Sequence, residues 1–213
     1  MKFTDVNNQS KKGSEMKKNF AMIVVLVLLS VFLSALSAFG NDGETRKPGS
    51  APVPSGKEVL VVYFSATGTT KGVAEKIAAI TDADLYEILA ADEYSDADLN
   101  WNDRNSRTTL EQNDRNVRPE IKSEPLTLEE YTTIYIGYPI WWGEAPRIMD
   151  TFVESYDFRE ITLIPFCTSS SSGIGRSGKI LEENAEGGKW LDGRRFGGNV
   201  SVDELRSWIG ILK

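Results

Sequence analysis

Residues 59–70 read VLVVYFSATGTT, and this stretch decides the fold. Val59–Phe64 is a continuous apolar, β-branched run, the pattern of a strand buried on both faces of a parallel sheet. Small hydroxyl residues then surround Gly68, and Thr70–Ile80 brings Val73, Ile77 and Ile80 onto one helical face. A strand passing through a hydroxyl-rich turn into an amphipathic helix is the opening unit of an α/β domain.

The alternation continues toward the C-terminus. Asp84–Leu89 alternates apolar and polar residues, as an outer strand does, and Tyr131–Tyr138 and Ile161–Phe166 are further apolar runs ending in turn residues. Pro146 suits the first turn of a helix whose buried stripe is Ile148, Met149, Phe152 and Val153. Ser201-Val202-Asp203-Glu204 has the form of a capping box, with Val202, Leu205, Ile209 and Leu212 facing inward behind it. Lys189–Phe196 is the weakest strand candidate. Five strands alternating with helices predict a doubly wound, five-stranded parallel sheet in a three-layer α/β/α domain. Residues 93–122 interrupt the rhythm: they are polar and carry at most a short helix, and connections of that length inside a domain are usually functional or mobile.

The N-terminal quarter has a different character. Phe20–Phe39 is an uncharged apolar run preceded by Lys17 and Lys18 and followed by small residues, the layout of an export signal. Cleavage after Gly40 and retention as an uncleaved membrane anchor both fit its length. Either outcome predicts an exported, periplasmic or extracytoplasmic protein. Met16-Lys17-Lys18 has the form of a natural start, which makes Met1–Glu15 an extension. Residues 41–56 are polar and rich in Pro, Gly and Ser, a linker, so the expected organisation is 1–40 extension and signal, 41–56 tether, 57–213 folded domain.

Composition excludes several chemistries. The 213 residues contain no histidine and one cysteine, Cys167, which rules out histidine triads, ordinary zinc centres, internal disulfides and dithiol exchange. No metal site and no catalytic side chain are predicted; a redox role needs a bound cofactor. The formal charge is −7; residues 1–40 hold five lysines and two acids, so the rest carries 19 basic and 29 acidic side chains, a net −10. Such a surface repels nucleic acid and suits a basic partner.

In a doubly wound sheet, ligands bind beyond the carboxyl ends of the strands, and three of those ends have unusual sequences. Ser65-Ala66-Thr67-Gly68-Thr69-Thr70 places hydroxyls and backbone N–H groups at the positive end of a helix, an anion site sized for a monophosphate. It matches neither the Walker loop nor the dinucleotide glycine pattern; a hydroxyl-rich helix cap without ligand is the competing reading. Tyr138-Pro139-Ile140-Trp141-Trp142-Gly143-Glu144 sets two tryptophans side by side at a strand end, where one should present its face to solvent or a flat ligand unless both pack under the polar segment. Thr168-Ser169-Ser170-Ser171-Ser172-Gly173 is either a donor-rich loop for the edge of a heteroaromatic ring or a plain flexible connection. Cys167 reads as a buried structural thiol.

Together the stretches YFSATGTT, YPIWWGEAP and GIGRS resemble the flavodoxin family, in its compact branch with a Y-P-I-W-W-G second loop, over all of residues 57–213. The resemblance implies a flavodoxin-like fold and noncovalent binding of flavin mononucleotide (FMN). It places Ser65, Thr67, Gly68, Thr69 and Thr70 on the phosphate. Pro139, Ile140, Trp141, Trp142 and Gly143 would line the ring, with Trp142 as the stacking face, and Thr168, Ser169, Ser170 and Gly173 would meet the pyrimidine edge. The third loop lacks the aromatic that many flavodoxins set against the outer flavin face; only Ser, Thr, Gly and Ile174 are available. Glu144 and the net negative charge would lower the flavin potential. The implied role is electron transfer with a redox partner protein or a small acceptor. Alternatives are an FMN-dependent reductase of quinones or other small acceptors, and an exported, non-redox binding module that keeps the fold.

Overall fold

A computed structural model describes residues 47–52 and 55–212. The expected export segment Phe20–Phe39 and half of the expected tether lie outside the described residues. The elements run β1 (Val59–Phe64), α1 (Thr69–Thr81), β2 (Asp84–Ile88), α2 (Arg107–Asn113), β3 (Thr133–Pro139), α3 (Arg147–Glu154), β4 (Thr162–Thr168), α4 (Ser177–Asn184), β5 (Lys189–Trp190), β6 (Arg194–Phe196) and α5 (Val202–Ile211).

The strands form one parallel sheet in the order β2-β1-β3-β4-β5, with β6 continuing the last position against β4. This is the doubly wound topology expected, with the reversal of strand order between β1 and β3. The weak fifth strand is split. Thr162 pairs with Lys189 but Phe166 with Arg194, so the outer chain carries one more residue than β4 between those pairs. Pro165 sits in β4 at that break, and a proline has no N–H to contribute to a ladder, which is why such residues accompany bulges.

Alternation along β1 sends Leu60, Val62 and Phe64 to one face and Val61 and Tyr63 to the other. The first face packs on Ile148, Met149 and Phe152 of α3 and Leu181 of α4. The second packs on Val73 and Ile77 of α1 and Leu205 and Trp208 of α5. Fully burying side chains of this size contributes about 1.5–3 kcal/mol each, so both outer layers are held chiefly by the sheet. Gly137 in β3 makes the second face possible, because a Cβ there would lie 2.2 Å from the Phe166 ring.

One expectation for α5 is corrected. Ser201 does cap the helix, its Oγ accepting from the Glu204 N–H at 3.1 Å, but Val202 is 42% exposed and the buried residue is Trp208. The cap puts Val202 at the first helical position, off the stripe that Leu205, Trp208, Ile209 and Leu212 form at spacings of three and four.

Candidate functional site

The β1–α1 turn leaves its donors free. The N-cap of α1 is Gly68, at φ 81°, and no side chain caps the helix, whereas α2 and α5 are capped by Ser106 and Ser201. The first backbone N–H of this helix with a helical partner is that of Gly72, which donates to Gly68 O. The nearby hydroxyls of Thr67 and Thr69 face each other at 3.4 Å. Ser65 Oγ is buried and, among the described residues, has no hydrogen-bond partner; an unmatched buried hydroxyl costs about 1–3 kcal/mol. A helix N-terminus with unclaimed N–H groups beside an orphaned hydroxyl is what an anion completes. The competing reading, a helix capped by its own hydroxyls, does not describe this turn.

The tryptophan loop is a tight hairpin. Trp141 and Glu144 exchange backbone hydrogen bonds at 3.0 Å in both directions. Trp142 and Gly143 occupy the corner at φ 50° and 84°, the sign pattern of a type I′ turn. The two indoles separate. Trp141 packs edge-on to Phe64 at 5.7 Å and Tyr94 at 5.3 Å, while Trp142 stays 46% exposed.

The polar segment supplies this hairpin's supports. Gln112 Nε2, from α2, donates to the carbonyls of Trp141 (2.8 Å) and Ala145 (3.2 Å). The buried Arg147 guanidinium reaches the Gln112 carbonyl and the Glu144 carboxylate, and Arg115 holds the other Glu144 oxygen at 2.9 Å. Arg107 stacks on Tyr94 at 4.1 Å and pairs with Glu111, which also accepts from the Tyr94 hydroxyl. Two arginines therefore offset the Glu144 charge, so its expected effect on a flavin is weakened at source. Below them Asp150, 2% exposed, has its carboxyl pushed upward by burial, against the hydrogen bond from Asn184 and the charges of Arg118 and Arg147.

The third loop is strapped rather than free. Arg195 of β6 donates to the carbonyls of Ser169 and Ser170, and Ser169 Oγ donates back to the Ser172 carbonyl. The Ile140 N–H donates to Thr168 O, joining second and third loops, and the Thr70 and Thr168 hydroxyls meet at 2.8 Å, joining first and third. Burial pushes the Cys167 thiol just beneath up to about 12.

A cleft of about 850 Å³ opens over these strand ends, walled by Thr67, Thr69, Pro139, Ile140, Thr168, Ser169 and Ser170, all anticipated. Ser65, Gly68 and Thr70 belong to the same first turn, with the Thr70 side chain turned inward to Thr168. Trp141 stands in the aromatic cluster with Phe64 and Tyr94, Trp142, Gly143 and Gly173 are exposed, and none of these four is among the residues that wall the cleft. Arg195, the turn Gly197-Gly198-Asn199 and Glu204 are among the other residues of the wall. Sequence reading missed these, because the strand before them is short and broken. It also missed Gln112 and Arg147, whose roles depend on contacts across the chain.

The donor-lined cleft lies beyond the carboxyl ends of the strands of a 2-1-3-4-5 sheet, where doubly wound domains bind their ligands. The chain belongs to the flavodoxin family, whose model matches residues 58–212. Among solved structures, a protein from Bacteroides uniformis ATCC 8492, provisionally described as a flavoprotein, shares 46% identity over 72% of this chain and 97% of its own, with a TM-score of 0.69. One from Bacteroides eggerthii DSM 20697, described the same way, shares 42% over 72% and 96%, with a TM-score of 0.68. A flavoprotein from Lactobacillus acidophilus NCFM, solved in complex with FMN, shares 26% over 70% and 99%, with a TM-score of 0.54. No curated protein matches the chain.

Proposed function

We propose that this protein binds FMN noncovalently and serves as an electron-transfer flavoprotein. The observation that carries the reading is the β1–α1 turn: a helix start without a side-chain cap, with a buried Ser65 hydroxyl awaiting an acceptor or donor. The residues fit the cofactor. The N–H groups of the first turn suit its phosphate, Trp142 offers an exposed indole, and the third loop offers backbone donors. FMN supplies the redox chemistry when bound, and the chain's own part is to hold the phosphate, shield the ring and set its electrostatic surroundings. The FMN complex of the Lactobacillus acidophilus relative supports the same cofactor. With 19 basic and 29 acidic side chains beyond residue 40, the partner proposed is a basic redox protein or a small cationic acceptor, met outside the cytoplasm if Phe20–Phe39 directs export.

The test is the visible absorbance of the purified protein before and after FMN is added. Bound yellow flavin that is released on denaturation supports the reading. Protein that stays colourless and fails to take up added FMN overturns it and favours a non-redox module. Turnover of a quinone with a nicotinamide donor would move the assignment from carrier to reductase.

A further inference from the structure

Arg195 is unusual among the arginines of the described residues in where its charge goes. Its neighbour Arg194 pairs with Glu204 at 3.0 Å, but Arg195 makes no salt bridge among the described residues. Instead Nη2 donates to Ser169 O at 2.5 Å and Ser170 O at 2.6 Å, and Nε to Ser169 Oγ at 3.2 Å. In a trans peptide the carbonyl and the next N–H point in opposite directions. Holding these two carbonyls therefore turns the N–H groups of Ser170 and Ser171 away from Arg195. Neither N–H donates to an acceptor among the described residues. Arg195 and Ser170 both wall the cleft. The Arg195 charge also reaches the end of β4, where it opposes the burial that raises the Cys167 thiol.

We propose that Arg195 is a positioning residue that presets the Ser170 and Ser171 N–H donors for the polar edge of FMN and favours the reduced over the oxidised cofactor; this rests on the FMN reading above. The two effects have separate origins. Preorganised donors improve binding because the loop need not be ordered at the moment of binding. The electrostatic effect follows from charge balance: two-electron reduction by dithionite with uptake of one proton adds one negative charge to the bound group. A cation without a carboxylate partner at the cleft wall stabilises that charge, against the net negative field of the domain.

The experiment compares wild type, Arg195→Lys and Arg195→Gln by fluorescence titration with FMN and by equilibrium redox titration, with circular dichroism to check folding. Arg195→Gln should weaken oxidised FMN about tenfold and reduced FMN about a hundredfold. The further factor of ten lowers the two-electron midpoint by about 30 mV. Arg195→Lys should restore the midpoint while recovering only part of the affinity, since an ammonium keeps the charge but not the forked geometry. A folded Arg195→Gln variant with wild-type affinity and midpoint overturns the inference and leaves the FMN reading standing. Equal midpoints in Gln and Lys variants, both below wild type, overturn the charge effect. Wild-type protein that does not bind FMN removes both readings at once.

Discussion

The hydroxyls of Thr70 and Thr168 lie 2.8 Å apart in the buried interior, linking the first and third loops across 98 residues of sequence. Both residues are almost fully enclosed, at 1% and 3% exposure. This contact ties the β1–α1 turn to the loop that follows β4. Thr70→Val should destabilise the protein by about 1–3 kcal/mol, because it strands the Thr168 hydroxyl in an apolar setting. Replacing both threonines by valine should recover most of that loss. Urea denaturation of the two single variants and the double variant checks the cycle.

Ser65→Ala separates folding from binding. Removing an unpartnered buried hydroxyl should leave the ligand-free protein as stable or up to about 1–3 kcal/mol more stable. The same change should weaken FMN about tenfold, the size of one lost hydrogen bond to a charged group, while leaving riboflavin, which has no phosphate, unaffected. Equal losses for both flavins would place the effect away from the phosphate.

Gln112→Leu tests the support of the tryptophan hairpin. It removes the donor shared by the Trp141 and Ala145 carbonyls, and it also removes Gln112 Oε1, a second buried atom without a partner among the described residues. The two effects oppose each other, so the net loss should be about 1 kcal/mol. The sensitive readout is tryptophan fluorescence, which should shift to the red as Trp141 loosens from Phe64 and Tyr94. An unshifted spectrum would mean that the aromatic contacts alone hold the turn.

Two glycines should respond differently to alanine. Gly137→Ala puts a methyl 2.2 Å from the Phe166 ring in the middle of the sheet. The ring is fully buried, so the cost should be at the upper end of the ~1–3 kcal/mol typical of overpacking. Gly143→Ala meets no atom within 4 Å, but its φ of 84° is unfavourable for any residue with a Cβ. It should cost about 1–2 kcal/mol through backbone strain alone. Thermal denaturation distinguishes the two.

Alkaline pH should unfold the protein in a predictable window. The Cys167 thiol is raised from 9.0 to about 12 by burial, so above pH 9 the unfolded chain loses a proton that the folded chain keeps. Stability from this group is complete below pH 9 and is lost as pH rises toward 12, at up to about 1.4 kcal/mol per pH unit. Burial also raises the phenols of Tyr63, Tyr86, Tyr94 and Tyr138 above 10.0, steepening the decline from pH 10 upward. Urea midpoints measured from pH 8 to 11 should hold steady up to about pH 9 and fall from there to pH 11. At pH 8 the native thiol should resist alkylation and become reactive only in denaturant.

Much of the site was legible because its parts are local. The strand Val59–Phe64 reads directly from an unbroken apolar run, and the turn that follows reads from small hydroxyl residues around Gly68. The tryptophan pair announces one exposed indole because two adjacent large aromatics at a strand end, just before a glycine, are not both accommodated in the core. The buried stripe of α3 follows from helical spacing. The same reasoning failed at Val202, which sits at the exposed first helical position, and it passed over Trp208, which joins Leu205 and Ile209 in the buried stripe.

Sequence by itself determined the element order, the parallel sheet, the switch-point loops and the chemistry excluded by the absence of histidine. These follow from periodicity, turn chemistry and composition, each a property of neighbouring residues. Only the tertiary structure decided that Gln112 and Arg147 hold the tryptophan hairpin, that Thr70 spends its hydroxyl on Thr168, and that Arg195 grips the third loop. Each of those contacts joins residues 26 to 98 positions apart. Their partners are set by where the strands place them in the sheet, and nothing in the local pattern of an arginine, glutamine or threonine records which distant carbonyl or hydroxyl it will meet.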